Sequence, residues 1–204
     1  MEKLEVVKSN VVPWLMPNVD TDIITPMKRI LKNYDRIQDF AFEPYRFVDG
    51  DGDKGELNPD FPLNKPEYAN AKIMITGENF GSGSSRETAP EAIAKLGIRC
   101  LIGTSFGGIF FKNCFQQGIL PIVFSAEDVN ALAALEPSEE VVVDLLNQSV
   151  TFSGKTLPFN VEPIRRESLL AGLDDVGMTL TKENEIADFE AKDRKARPWI
   201  YNFH

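Results

Sequence analysis

With 204 residues, 43% of them apolar and 26% charged, the chain is long enough for one ordinary globular core beneath a soluble surface. Its formal net charge of −9 repels phosphate backbones and acidic lipid faces, which argues against nucleic acid or a membrane as partner. Two cysteines, Cys100 and Cys114, are too few for a cubane iron–sulfur cluster held by this chain alone, and the single histidine, His204, is the last residue, so a Ser–His or Cys–His nucleophile pair is not expected.

In chain order, MEKLEVVKSN has no cationic start ahead of an apolar block, so no secretory signal is expected. The apolar runs further on are broken within about a dozen residues, short of a bilayer span. A cytoplasmic location is the resulting expectation. The cluster Asn18-Val-Asp20-Thr21-Asp22-Ile-Ile-Thr25-Pro26 reads as a turn with local side-chain capping. The acidic run Asp49-Gly-Asp51-Gly-Asp53 resembles a calcium loop only superficially. Lys54 and Asp60 stand where such a loop needs glycine and a bidentate glutamate, so a solvated turn is expected.

Residues 72–76 predict a short buried strand and 77–85 (GENFGSGSS) a glycine-rich loop. A helix is predicted over 86–96, with Ala89, Ile93 and Leu96 on one face and Gly97 as its stop. A strand at 98–102, an apolar-faced helix at 106–117 and a strand at 119–124 follow. A capping box at Ser125–Asp128 then opens a helix that runs to Leu135. This order argues for parallel strands joined by right-handed crossovers.

Beyond Glu136 the pattern changes. Residues 140–145, 149–152 and 156–159 predict short antiparallel strands, with a turn at 153–155, and 165–170 a helix closed by Gly172. The segment 178–204 is polar and then basic-aromatic, and is expected to pack on this chain or a neighbour. The expected organisation is an α/β domain of mixed parallel and antiparallel strands over 1–190, followed by a tail at 191–204.

Chemistry concentrates in the loop Gly77-Glu-Asn-Phe-Gly81-Ser-Gly83-Ser84-Ser85-Arg86-Glu87. Glycines allow close backbone approach to a ligand, and two hydroxyls and a guanidinium follow in succession. Such a loop suits a carboxylate or phosphate, with Arg86 able to grip two oxygens at once. A nucleotide-binding loop would need a Gly-Lys-Ser/Thr that is missing. On composition alone the anion site and a merely tight turn remain equal alternatives. Cys100, in a strand, and Cys114, on a helix, read as buried small hydrophobes without an assigned role.

Taken together, NVDTDIITP, GENFGSGSSRE and SFGGIFFKNCFQQGILPI, with LNPDFPLN at 57–64 and IRRESLLAGLDDVGMTL at 164–180, resemble the small subunits of 3-isopropylmalate dehydratase, the two-chain branch of the aconitase superfamily. The resemblance implies an aconitase-type swivelling β/β/α domain. It implies a hydro-lyase of leucine biosynthesis that interconverts 2- and 3-isopropylmalate and is active only as a heterodimer or larger assembly. No cofactor would be bound by this chain; a [4Fe–4S] cluster would sit in the large subunit. Ser84 matches the proton-abstracting serine, and Ser85, Arg86, Thr21 and Asp22 match the substrate-binding residues.

Substrate choice is expected in the segment after Pro26. Met27, Ile30 and Leu31 could meet an isopropyl group there, or Lys28, Arg29 and Lys32 a further carboxylate. The chain departs from the usual pattern at Thr88 (histidine), Glu91 (tryptophan) and Gly107-Gly108 (SFADIF in relatives). Thr88–Glu91 could form a capping box in compensation. A related hydro-lyase of the citraconate or dimethylmaleate type, or a non-catalytic paralogue, are the alternatives these departures raise.

Overall fold

The computed structural model of the chain describes residues 1–201; His204 lies outside the described residues. Two strands that the sequence pattern had not revealed open the chain, β1 (Val6–Ser9) and β2 (Val11–Trp14). Three short helices follow: α1 (Thr21–Ile24), α2 (Met27–Lys32) and α3 (Glu43–Arg46). The expected alternation then appears as β3 (Ile73–Thr76), α4 (Thr88–Lys95), β4 (Cys100–Gly103), α5 (Gly108–Gln116), β5 (Leu120–Val123) and α6 (Ala126–Ala133). The later strands are β6 (Val141–Asp144), β7 (Ser149–Phe152) and β8 (Lys155–Pro158). Helices α7 (Pro163–Ala171), α8 (Asp175–Leu180) and α9 (Glu183–Ala196) close the described chain, and α9 runs through residue 190. None of the described helices is long and apolar enough to cross a membrane.

The strands form two sheets: β2-β3-β4-β5, all parallel, and β1-β6-β7-β8, all antiparallel. Because the parallel sheet is ordered as in the chain, right-handed crossovers all fall on one of its faces. Side-chain alternation along the strands agrees with this division. Met74 and Leu101 point into a cluster with Phe80, Ile93, Phe110 and Cys114 from the crossover side. Ile73, Ile75, Cys100 and Ile102 point the other way, into a cluster with Val129 and Leu132 of α6 and Val141, Val143 and Val150 of the antiparallel sheet. The layers are therefore antiparallel sheet, parallel sheet and helices.

The three strand prolines, Pro13, Pro121 and Pro158, lie on β2, β5 and β8, which are all edge strands. A missing N–H costs no ladder bond on the outer side of an edge. The β7–β8 turn is tighter than expected. Phe152 pairs with Lys155, and only Ser153 and Gly154 stand between them, at φ +43° and +75°, as a two-residue hairpin of this hand requires.

The acidic run at 49–53 is not simply a solvated turn. Asp53 Oδ1 accepts from Arg29 Nη1 at 2.6 Å, and the Gly52 amide donates to Glu43 Oε1 at 2.9 Å. The segment caps a buried ion cluster and holds α2 against α3.

Candidate functional site: the serine–arginine loop

Loops at the carboxyl ends of three adjacent parallel strands meet to form the site, the position where open α/β sheets usually place ligands. The Asn18 amide donates to Glu78 O (2.8 Å), that of Gly81 to Val19 O (2.7 Å) and that of Thr21 to Ser82 O (2.9 Å). On the other side, the Gly107 amide donates to Phe80 O at 2.8 Å and the Asn79 amide to Ser105 Oγ at 2.8 Å. The 77–87 loop thus continues the sheet's pairing beyond β3.

Phe80 pins this loop to the core. Its ring is fully buried, 5.7 Å from that of Phe110 and 6.5 Å from those of Trp14 and Phe42. Gly81 has φ +73°, and a Cβ there would lie 2.2 Å from the Phe110 ring. A Cβ on Gly107 would lie 2.4 Å from Gly81 O. The glycine at 107 therefore lets one loop backbone rest directly on the other.

Ser84 and Ser85 are exposed, whereas Thr21 is buried beneath them. Thr21 Oγ1 accepts from the Ser84 amide at 3.2 Å and lies 3.0 Å from Ser84 Oγ. With that acceptance made, the one proton of the Thr21 hydroxyl is free to point at Ser84 Oγ. Asp20 caps α1 by accepting from the Ile23 amide at 2.8 Å, which fixes Thr21 at the start of the helix. The local capping expected of this cluster is present, and it sets the floor of the site.

Arg86 makes no hydrogen bond to Ser84 among the described residues. Its Nη1 donates to Asp22 Oδ1 at 2.5 Å and to Thr25 O at 3.4 Å. Nε and Nη2 carry no partner among the described residues, which leaves one edge of the guanidinium fork for a carboxylate. Helix α4 begins at Thr88, two residues later than expected, because Ser85 and Arg86 remain in the loop.

Two residues, Thr25 and Asn113, make contacts that were not foreseen. Thr25 is buried; its Oγ1 donates to Thr21 O at 3.2 Å and lies 3.3 Å from Thr88 Oγ1. Asn113 Nδ2 donates to Ser85 O at 3.4 Å. The expected capping box at Thr88–Glu91 does not form. Glu87 is the N-cap residue, with helical φ/ψ and no side-chain bond, and the Thr88 hydroxyl is directed to Thr25 instead. Glu91 pairs with Lys95 at 2.9 Å and accepts from Tyr34 Oη at 3.2 Å, tying α4 to the segment after α2.

The residues expected to choose the substrate separate. Arg29 is turned inward and is 4% exposed: Nε donates to Glu43 Oε2 (3.1 Å), Nη2 to Glu43 Oε1 (2.6 Å), and its guanidinium lies 3.9 Å from the Phe40 ring centroid. Lys28 is exposed but pairs with Glu43 at 3.0 Å. Ile30 is half-buried, and Leu31 and Met27 are exposed. Arg29 is therefore an internal anchor of α2, not a group held out to a ligand.

Cys100 and Cys114 are buried, and burial pushes the Cys100 thiol up to about 12 and Cys114 well above the usual thiol range. As neutral buried thiols they do not fit the thiolate ligation an iron–sulfur cluster needs. No group of three His, Cys, Asp or Glu side chains among the described residues is placed to hold a metal ion.

Comparison with known proteins gives the chain's family and fold. Residues 1–127 match the aconitase C-terminal domain family, and residues 175–203 match the C-terminal domain family of 3-isopropylmalate dehydratase small subunits. The 3-isopropylmalate dehydratase small subunits of Afipia carboxidovorans and Jannaschia sp. are 44% and 46% identical to the chain, over 98% of its length and 100% of theirs. A crystal structure of 3-isopropylmalate dehydratase from Methanocaldococcus jannaschii superposes with a TM-score of 0.64 at 25% identity, covering 91% of this chain and 99% of that one.

Proposed function

The chain belongs to the 3-isopropylmalate dehydratase small subunits of the aconitase superfamily, and from that premise we propose that it supplies the proton-handling half of an active site completed by a large subunit. The reaction is the interconversion of 2- and 3-isopropylmalate through a dehydrated intermediate, in leucine biosynthesis. The observation that carries this reading is the exposed Ser84 hydroxyl, 3.0 Å from the buried Thr21 hydroxyl, in the same loop as Arg86, whose Nη1 is held by Asp22.

Dehydration of a hydroxy dicarboxylic acid removes a weakly acidic C–H proton and a hydroxide. In this reading Ser84 Oγ acts as the alkoxide, takes the proton and becomes a neutral hydroxyl, and the Thr21 O–H, by donating to that oxygen, stabilises the alkoxide's negative charge before the transfer. Arg86 and Ser85 hold a substrate carboxylate, while Asp22 and Thr25 O orient the guanidinium from behind. The group that accepts the hydroxide belongs to the other polypeptide, where an iron–sulfur cluster is expected. Met27 and Leu31, the outward apolar residues of α2, are the proposed neighbours of the isopropyl group.

Three of the four departures from the usual pattern make contacts here, whereas Gly108 has open space where a Cβ would stand. Thr88 bonds Thr25, Glu91 bonds Tyr34 and Lys95, and Gly107 admits the Gly81 carbonyl. None of them removes a group from the loop, which favours catalysis over a degenerate paralogue.

The direct test is absorbance detection of the unsaturated acid when the chain and its large subunit are given 3-isopropylmalate. Turnover of citraconate-type substrates alone would assign the related hydro-lyase instead. In that assay Arg86→Lys keeps the charge but loses the two-pronged grip. The loss of a charge-assisted bond, roughly 1.5–3 kcal/mol, raises KM about 10- to 100-fold. An unchanged KM would remove Arg86 from the carboxylate site. Thr25→Val deletes both hydroxyl contacts beneath Thr21; as Thr25 is a positioning residue, kcat falls about tenfold while KM holds, since a small misplacement of reacting groups is costly. Recovery of kcat in Thr25→Ser separates loss of the hydroxyl from altered packing.

A further inference from the structure

The C-terminal helices are built unlike the rest of the molecule. Helix α9 buries no residue over its 14 positions, and Val176, Leu180, Phe189 and Trp199 are all more than half exposed. A helix of that length is marginal in water without a packed face, since nucleation is costly and most helical stability in proteins comes from tertiary burial. Its end is nevertheless organised. Asp193 accepts from Arg197 Nε at 2.6 Å and from Tyr201 Oη at 2.7 Å, and the Arg194 guanidinium lies over the Tyr201 ring at 4.6 Å. These local bonds fix the turn that carries Trp199 and leave its indole outside.

A groove of 1130 Å³ links these helices to the candidate site. Met178 and Ile186 line it from α8 and α9, and Glu87 and Asn113 line it beside the serine–arginine loop. Asn113 also bonds Ser85 O. The groove thus runs from Met178 and Ile186 of these helices to Glu87 and Asn113, which flank the serine–arginine loop. A stable interface takes roughly 800 Å² and 20–30 residues on each side, far more than the loop from Ser82 to Glu87 can offer. The segment 175–203 also matches a family separate from the one that covers 1–127, described as the C-terminal domain of a small subunit.

We propose that α8, α9 and the Trp199 turn form the principal docking surface for the large subunit, an apolar handle that enters a hydrophobic groove on that chain and seats the serine–arginine loop over its active site. This rests on the family reading above and adds the surface through which the two chains meet. Large exposed aromatics such as Phe189 and Trp199 are the side chains that usually dominate such contacts.

The test uses the full-length chain and the large subunit of 3-isopropylmalate dehydratase from the same organism. The double variant Val176→Asp/Phe189→Asp should keep the wild-type melting transition of the core, yet bind the large subunit at least about 100-fold more weakly, as loss of a central apolar anchor does. At saturating large subunit its kcat should approach that of wild type. Ser84→Ala should bind as wild type and be inactive, which separates docking from chemistry. Unaltered affinity in the double variant would overturn the docking proposal and leave the functional reading intact. A homodimer of the wild-type chain that the same substitutions dissolve would give the surface to a second copy instead. A tight wild-type pair inactive on isopropylmalate would overturn the functional reading alone, and the absence of any wild-type pair would overturn both.

Discussion

Ser84→Ala in the reconstituted enzyme is expected to lower kcat by about 10³-fold, within the range that a positioned acid or base contributes. The substitution removes one exposed oxygen whose contacts are the Thr21 hydroxyl and solvent. No core packing is lost, so the melting temperature and large-subunit affinity should stay at wild-type values. The loop path depends on Phe80, Gly81 and Gly107, which this change leaves alone. The effect should therefore fall on kcat, because the proton transfer exists only in the transition state, and KM should change little. Steady-state kinetics on 3-isopropylmalate with calorimetry of both proteins checks this. A variant with more than a tenth of wild-type kcat would transfer the proton to another group.

The second large effect is on stability. Glu43→Ala is expected to cost about 3–5 kcal/mol, because it strands a buried guanidinium without its partner. For a chain of this size that lowers the melting temperature by roughly 10 °C. Glu43 is 1% exposed; burial alone would raise its pKa, but the bonds from Arg29, Lys28 and the Gly52 amide outweigh this and hold it below the ordinary glutamate value. A depressed folded pKa contributes stability above the unfolded value, about 4.3, and loses it as pH falls through the folded value. Arg29, raised first by its bond to Glu43, would lose its contribution only at strongly alkaline pH. The gap between wild type and Glu43→Gln should accordingly be widest near neutrality and close in acid. Replacing both partners, Arg29→Met with Glu43→Leu, should recover much of the loss, since a packed apolar pair avoids burying charge. Thermal unfolding at pH 7 and in acid measures all three. A pH-independent difference between wild type and Glu43→Gln would mean that the cluster is not ionised as drawn.

Much of this architecture was legible because local signals and burial agreed. The runs at 72–76, 98–102 and 119–124 are apolar and bounded by loop residues, and each became a parallel strand within two residues of its expected limits. Strands β1 and β2 were missed because each has four residues, Asn10 separates them, and Pro13 argues against a strand unless the position is at an edge. Edge position is a property of the sheet, which no local window contains. The serine–arginine loop stood out by its composition, but its partners did not. Thr21 and Thr25 meet Ser84 and Thr88 across 63 residues of chain. In the same way, the inward turn of Arg29 depends on Glu43 and Asp53, 14 and 24 residues away. Lys28, Arg29 and Lys32 look alike in sequence until the acids that claim them are placed in space.

Proton exchange tests the central assignment most directly. In deuterated water the assembled wild-type enzyme should wash deuterium into the carbon-bound position of isopropylmalate that the reaction deprotonates, as mass spectrometry or proton NMR would record. The Ser84→Ala pair, binding the same acid, should leave that position protonated over the same interval. Deuterium entering at a comparable rate in both would contradict the account.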